Sequence, residues 1–378
     1  MRSLKLLAAA AALATAMPAL AAPTYTLTDI GDLAGGSNYS AAWGLNNLGQ
    51  VVGQSSGASG MRAFVWANGT MTALPTLAGA GGFGTGARGI NDAGQIVGNG
   101  VGFIGQQAVF RGIVWQDGVA TSIGDLAGGP NYSEAYAINN SGQVAGTSYA
   151  TSGQAAAIWQ NGSLSALGDL PGGSSAGLGY AINADGQVAG QGGAATGTRA
   201  ALYTQGQVTN LGDLPGGGDS SIARGINDAG HVVGQSSTVN AASQNVTHAF
   251  LWVNGVMTDL GDLAGGADGS FAYDINNAGR VVGYGLGSTG AEAAMWFGGE
   301  VFSLGSLVAN LGGWQLTQAS AINERGQIVG YGLLNGTTRA FLLTPDAFDD
   351  AVEVPEPAAL GLFGLGFLGL ALRRRRKG

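Results

Sequence analysis

Ile226-Asn227-Asp228-Ala229-Gly230-His231-Val232-Val233-Gly234 is the stretch whose reading decides the fold. A short run from Ser221 to Ile226 enters it. Asn227 to Gly230 has the composition of a tight turn, because Asx side chains bond forward to the backbone and Gly accepts the left-handed conformation. His231 to Gly234 leaves as a second strand. Downstream, Thr247-His248-Ala249-Phe250-Leu251-Trp252 reads as a third, apolar-aromatic strand. Asn254-Gly255 follows, the strongest two-residue hairpin signal, and Val256 to Leu260 is a fourth strand. A Gly-rich loop, 261–266, then leads onward.

The same phrase occurs seven times. Its asparagines are Asn46, Asn91, Asn139, Asn183, Asn227, Asn276 and Asn323, spaced by 45, 48, 44, 44, 49 and 47 residues. A period of roughly 40–50 residues marks stacked supersecondary units. Four short antiparallel strands per unit, in seven units, predicts an all-β, seven-bladed β-propeller of four-stranded blades over residues 22–345. A β-solenoid or two packed β-domains are the alternatives. The seventh unit stops after its third strand, at Leu343-Thr344-Pro345, while Tyr25 to Leu33 matches the fourth strand and loop of the other units. The N-terminal strand is therefore expected to complete the last blade and close the ring, which removes exposed edges.

Charge is unevenly placed. Seven of the 15 Lys+Arg lie at the two ends, leaving eight arginines against all 23 acidic residues, about −15 for the central region. Such a body repels nucleic acid, and no nucleic-acid partner is expected. There is no cysteine, so thiol chemistry and Cys-based metal sites are excluded. Gly, at 71 of 378 residues, is far above the usual level of about 7% and fits turns and bulges here.

Both ends read as addresses. Arg2 and Lys5, an apolar stretch from Leu6, and Ala19-Leu20-Ala21 form a secretory signal peptide over residues 1–21. Residues 346–353 form an acidic linker. At the C-terminus, Pro355-Glu356-Pro357 precedes fifteen uncharged residues, 358–372, and then Arg373, Arg374, Arg375, Arg376 and Lys377. The basic cluster would hold the C-terminus cytoplasmic and the body outside. The segment 354–378 resembles a PEP-CTERM sorting signal. That resemblance implies a transmembrane sorting helix at 358–372 as a transient inner-membrane anchor. It also implies cleavage by an exosortase-type sorting protease, and a cell-surface or extracellular destination among exopolysaccharide.

The repeat unit resembles the HAF-repeat family through His248-Ala249-Phe250, kept in part as Ala63-Phe64 and Ala340-Phe341. The resemblance implies architecture and an extracellular location, and no activity.

No catalytic or cofactor-binding constellation is legible. His231 and His248 occupy repeat positions without partners at zinc spacing. Asp32, Asp125, Asp169, Asp213 and Asp262 share one position in the Gly-Asp-Leu loops, with Thr76 and Ser306 there in two units. Repeated Asp in Gly-rich loops is calcium chemistry, but one carboxylate per loop is thin, and turn capping explains it more simply. Trp66, Trp115, Trp159, Tyr203, Trp252 and Trp296 fall at one strand position, where packing between units is the default use. Trp43 and Trp314 break the pattern and are candidates for surface contact. The expectation is a non-enzymatic surface or extracellular-matrix protein of biofilm or exopolysaccharide. The alternatives are a lectin-like carbohydrate-binding propeller and, less favoured, a polysaccharide-active hydrolase or lyase.

Overall fold

The structure, a computed structural model, describes residues 23–79 and 84–346. The signal peptide at 1–21 and the sorting segment at 354–378 lie outside the described residues, as does most of the linker. Among the described residues no helix is long and apolar enough to cross a membrane.

Seven four-stranded antiparallel sheets form a propeller. Blades 1 to 6 span residues 40–73, 85–122, 128–166, 178–212, 221–259 and 270–303. Blade 7 takes three strands from residues 314–345 and its outer strand, Tyr25–Gly31, from the other end of the described chain. That strand pairs in antiparallel register, Tyr25 opposite Pro345 through Asp29 opposite Phe341. The closure expected from the sequence is thus present. A single turn of 3-10 helix, Leu304–Leu307, links blades 6 and 7.

The strand 3–4 hairpins follow from their sequences. Asn68-Gly69, Asn161-Gly162 and Asn254-Gly255 hold positive φ at both positions, the backbone of a type I′ turn that matches strand twist. Apolar clusters sit between blades, not inside them. Val52 and Ala63 of blade 1 pack with Ile90, Ile96, Ile113 and Trp115 of blade 2, and the same arrangement recurs around the ring. The repeat aromatics serve this packing: Trp115, Tyr203 and Trp296 are buried. The Trp115 indole Nε1 also donates to the Pro75 carbonyl at 2.7 Å, tying the blade to the loop before it.

Trp314 corrects the sequence reading. It is buried, 8% exposed, and meets Phe341 edge-on at 6.2 Å. It opens a longer first strand in blade 7 and belongs to the core shared with Tyr25, Leu304 and Leu316.

Candidate functional site: the central channel

The first strand of each blade lines the channel, and the repeated phrase builds it position by position. Each Asn side chain works in two directions. Its Oδ1 accepts from the main-chain N–H four residues on, closing its own turn at 2.9–3.0 Å. Its Nδ2 donates to the main-chain carbonyl of the corresponding Asn in the next blade, at 3.0–3.2 Å. The last of these bonds, Asn323 to Asn46, shuts the circle. Seven buried amides are thereby satisfied, as buried polar groups must be. His231 stands four residues after Asn227, where its own N–H is one of those capped.

The residue after each Asn rims this end of the channel. Asp92, Asp228 and Glu324 alternate there with Asn47, Asn140, Ala184 and Asn277. The carboxylates accept main-chain N–H bonds from the preceding blade, as Asp92 does from Asn47 at 2.8 Å and Asp228 from Ala184 at 2.9 Å. Burial raises the Glu324 pKa, and Asp228 and Asp92 push it the same way. Bonds from Asn47 and Asn140, with the Arg325 charge, outweigh burial at Asp92 and hold its carboxyl below the usual range.

Three residues before each Asn, every first strand is bulged. The register slips at Trp43, Arg88, Tyr136, Tyr180, Arg224, Tyr273 and Ser320. A bulge adds an unpaired residue and re-aims its side chain. These residues accordingly line a second chamber of about 370 Å³, joined by Gln318 and Tyr331. The bulge explains the last Gly of the phrase. Gly234 sits opposite Ala223 in the pairing, and a Cβ on it would run into the Ile222 carbonyl oxygen. The same clash meets Gly53, Gly98, Gly146, Gly190, Gly283 and Gly330.

The chamber is cationic and aromatic. The Arg88 guanidinium lies over the Trp43 ring at 4.2 Å and Arg224 over Tyr180 at 4.3 Å, both within the range of cation–π attraction. Tyr136 meets Tyr180 edge-on at 5.1 Å. The Nε atoms of both arginines are buried without a hydrogen-bond partner. Glu134 is near, but its carboxylate is taken by the hydroxyls of Tyr132 and Tyr136. Burial lowers the Arg88 pKa; Glu134 opposes that shift and Arg224 reinforces it. The sequence reading singled out Trp43 but missed both arginines. Their signal was a large, variable residue three places before each constant Asn.

Asp274 lies between the two chambers. Six sister units carry Gly44, Gly89, Ala137, Ala181, Gly225 and Ala321 at its position. Its Oδ1 accepts from Ile275 N–H and its Oδ2 from Ile322 N–H, both at 2.9 Å, so it clamps blade 6 to blade 7. Burial outweighs these bonds and raises the carboxyl to about 7. The unfolded chain loses this proton near 3.9, so the stability tied to it is complete below that pH and is lost as pH rises through 7. Between pH 4 and 7, wild type should lose stability relative to Asp274→Ala, by a few kcal/mol in order of magnitude. Denaturant melts at both pH values test this, and an identical difference at each would refute it.

The Gly-Asp-Leu aspartates lie elsewhere, at the junctions where one blade passes to the next, and the structure does not bring the five together. Asp125 pairs with Arg111 at 3.1 Å, Asp213 with Arg199 at 3.5 Å and Asp32 with Arg339 at 3.3 Å. Asp169 accepts from Ser175 Oγ at 2.9 Å, and Asp262 stands beside His248 and Asp268. Turn capping was the wrong expectation for the three paired with arginine. The loop N–H groups of Leu33, Leu126 and Leu214 are instead capped by Ser55, Ser148 and Ser236. The acid instead answers a basic residue at the His position of the His-Ala-Phe motif.

Several solved structures are similar in outline. The β-propeller domain of the Trilobed protease from Pyrococcus furiosus shares 11% identity over 71% of this chain and 82% of that one, with a TM-score of 0.46. A putative gluconolactonase shares 11% over 85% and 92%, at 0.41. An acylaminoacyl peptidase from Pyrococcus horikoshii shares 11% over 78% and 57%, at 0.40. No curated protein matches the chain. Residues 353–376 match the PEP-CTERM protein-sorting motif. That match lies outside the repeat body and lends the HAF-repeat resemblance no support. The chain thus carries a PEP-CTERM sorting signal, including Pro355, Glu356, Pro357 and Arg373 to Arg376, behind a seven-bladed propeller. Such a signal implies export, a C-terminal membrane anchor before sorting, and exosortase processing.

Proposed function

We propose that this exported propeller is a binding protein of the extracellular matrix, and that its channel takes an acidic sugar of the surrounding polysaccharide without turning it over. The observation that supports this most is the pair Arg88 and Arg224, stacked on Trp43 and Tyr180 with unpartnered buried Nε atoms. Guanidinium groups are the side chains suited to planar carboxylates, and aromatic walls suit the apolar face of a sugar ring. The chamber volume of about 370 Å³ falls within the range of small-ligand sites, roughly 300–1,000 Å³. The channel is electrically polar. Carboxylates of Asp92, Asp228 and Glu324 rim the asparagine end, so an anion approaches from the opposite end, toward the arginines.

Both oxygens of Asp274 are occupied by main-chain amides and Glu134 by two tyrosines. Neither carboxyl is placed as a free acid or base, which supports binding over turnover.

Calorimetry with a uronic-acid oligosaccharide and its neutral counterpart tests the reading. The acidic form should bind, and Arg88→Ala and Arg224→Ala should each weaken it by about tenfold to a hundredfold, the value of a hydrogen bond to a charged group. Equal affinity for the neutral sugar, or no loss in either variant, would return the protein to a passive matrix component. Chromatography of the recovered oligosaccharide should show it uncleaved.

A further inference from the structure

At three junctions between blades an arginine meets aspartate. Four residues before the repeat aromatic stands Arg111, Arg199 or, at the equivalent place in blade 7, Arg339, and each pairs with at least one aspartate of the segment that follows. Arg199 meets Asp213 and Asp219; Arg339 meets Asp29 and Asp32. Where the loop carries Thr76 in place of Asp, Arg62 turns to the Leu74 carbonyl. Where it carries Ser306, the basic residue is replaced by Glu292. Blade 3 carries Ala155 at the cation position, and Asp169 there is met by Ser175 Oγ.

The junction of blades 5 and 6 carries the most acid. Its cation position holds His248, and its acid positions are all aspartate: Asp259, matching Asp29; Asp262, matching Asp32; and Asp268, matching Asp219. Three carboxylates thus face a residue that carries at most one positive charge, where the junctions of Arg111, Arg199 and Arg339 set one or two against a permanent one. His248 is nine-tenths buried. Its Nδ1 is held by Asp259 Oδ2 at 2.7 Å and its Nε2 is turned to Asp268 Oδ1 at 2.7 Å. Donor atoms of His248, Asp262 and Asp268 all lie within 4.8 Å of one another.

An imidazole nitrogen held by a carboxylate, with its other nitrogen turned to a second carboxylate and a third close by, is the arrangement that orients metal-ligating histidines. We propose that this junction binds a divalent transition-metal ion, Zn²⁺ by its donor set, through His248 Nε2, Asp262 and Asp268, with Asp259 orienting the ring. One nitrogen and two carboxylate oxygens, with a water in the fourth place, make an ordinary tetrahedral set for zinc. An imidazole in the set disfavours Ca²⁺, which takes oxygen ligands. Metal–ligand bonds of about 2.0–2.2 Å require donors more than 3 Å apart, so Asp268 withdraws slightly from Nε2. It can do so, because its side chain is 34% exposed in the loop. The ion would supply the positive charge that arginine supplies at the sister junctions.

The test uses the full chain, stripped with chelator and titrated with Zn²⁺, Mn²⁺ and Ca²⁺ by calorimetry, with thermal melts in parallel. One Zn²⁺ per chain should bind and raise the melting temperature, with Ca²⁺ at least a hundredfold weaker. Asp262→Ala and Asp268→Ala should each weaken Zn²⁺ at least tenfold. His248→Arg installs the residue of the sister junctions; it should fold, abolish Zn²⁺ binding and melt at the same temperature with and without metal. Failure of the wild type to bind Zn²⁺ overturns the proposal. So does Zn²⁺ binding that survives in His248→Arg.

Discussion

Deleting Tyr25–Gly31 should abolish cooperative folding of the whole ring, although it removes only one strand. That strand is the outer strand of blade 7 and carries Tyr25, 2% exposed, and Ile30, 4% exposed. Tyr25 packs with Met295, Leu304, Leu307 and Val308 and forms a parallel bridge to Val308, so it also seals the junction with blade 6. Burying such side chains is worth about 1.5–3 kcal/mol each, and the backbone ladder to Thr337–Pro345 adds to it. The sum is comparable to the whole stability of an ordinary domain, about 5–15 kcal/mol. The deletion also leaves Thr337–Pro345 as an unpaired edge, a template for aggregation. We expect soluble aggregates in size exclusion and no sigmoidal melt. A peptide of residues 23–31 added in trans should restore a monomer by strand addition. A monomeric deletion variant with an unchanged melt would show that the closing strand is dispensable.

The second large effect is expected from a single methyl group. Gly234→Ala places a Cβ against the Ile222 carbonyl oxygen, part of the main chain and unable to swing aside as a side chain does. Either the bulge at Arg224 is lost or the strand pair separates. Overpacking usually costs 1–3 kcal/mol, and a main-chain obstacle puts this case at about 3 kcal/mol or more. Gly218→Ala is the control, since a Cβ there meets nothing within 4 Å and should leave the melt nearly unchanged. Comparable losses at both positions would remove the bulge as the explanation. The variant should also impair ligand binding, because Arg224 is aimed by the bulge that Gly234 permits.

The architecture was legible because it is written in spacing. Seven phrases at near-constant intervals, four strand signals in each and an orphan fourth strand at Tyr25 need no knowledge of contacts. The site was less so. Asn227 reads as a turn residue, and half of its work is that of a turn residue; the other half joins it to Asn276, 49 residues on, and no local pattern announces a bond between units. The bulge at Arg224 hides inside a run that looks like an ordinary strand, and besides the variable residue itself its trace is Gly234, ten residues on. Trp43 and Trp314 looked alike as exceptions to the repeat. One lines the channel and the other packs on Phe341, because what separates them is the local register, which composition does not carry. The pairing of Asp125 with Arg111 was visible only by comparing units with one another, since within one unit the two look unrelated.

Each asparagine asks of its neighbour only a main-chain carbonyl, which every residue possesses. The joint therefore places no demand on the identity of the side chains around it, so long as each unit keeps its own Asn and its own final Gly. Units can drift apart in their loops, and one can acquire arginine, tyrosine or aspartate in the channel, without the seam noticing. A chain built on such a joint is a set of interchangeable tiles: duplication supplies copies that already fit, and specialisation proceeds one tile at a time. The uneven distribution of Arg88, Arg224 and Asp274 around an otherwise uniform circle is the pattern that history of this kind leaves behind.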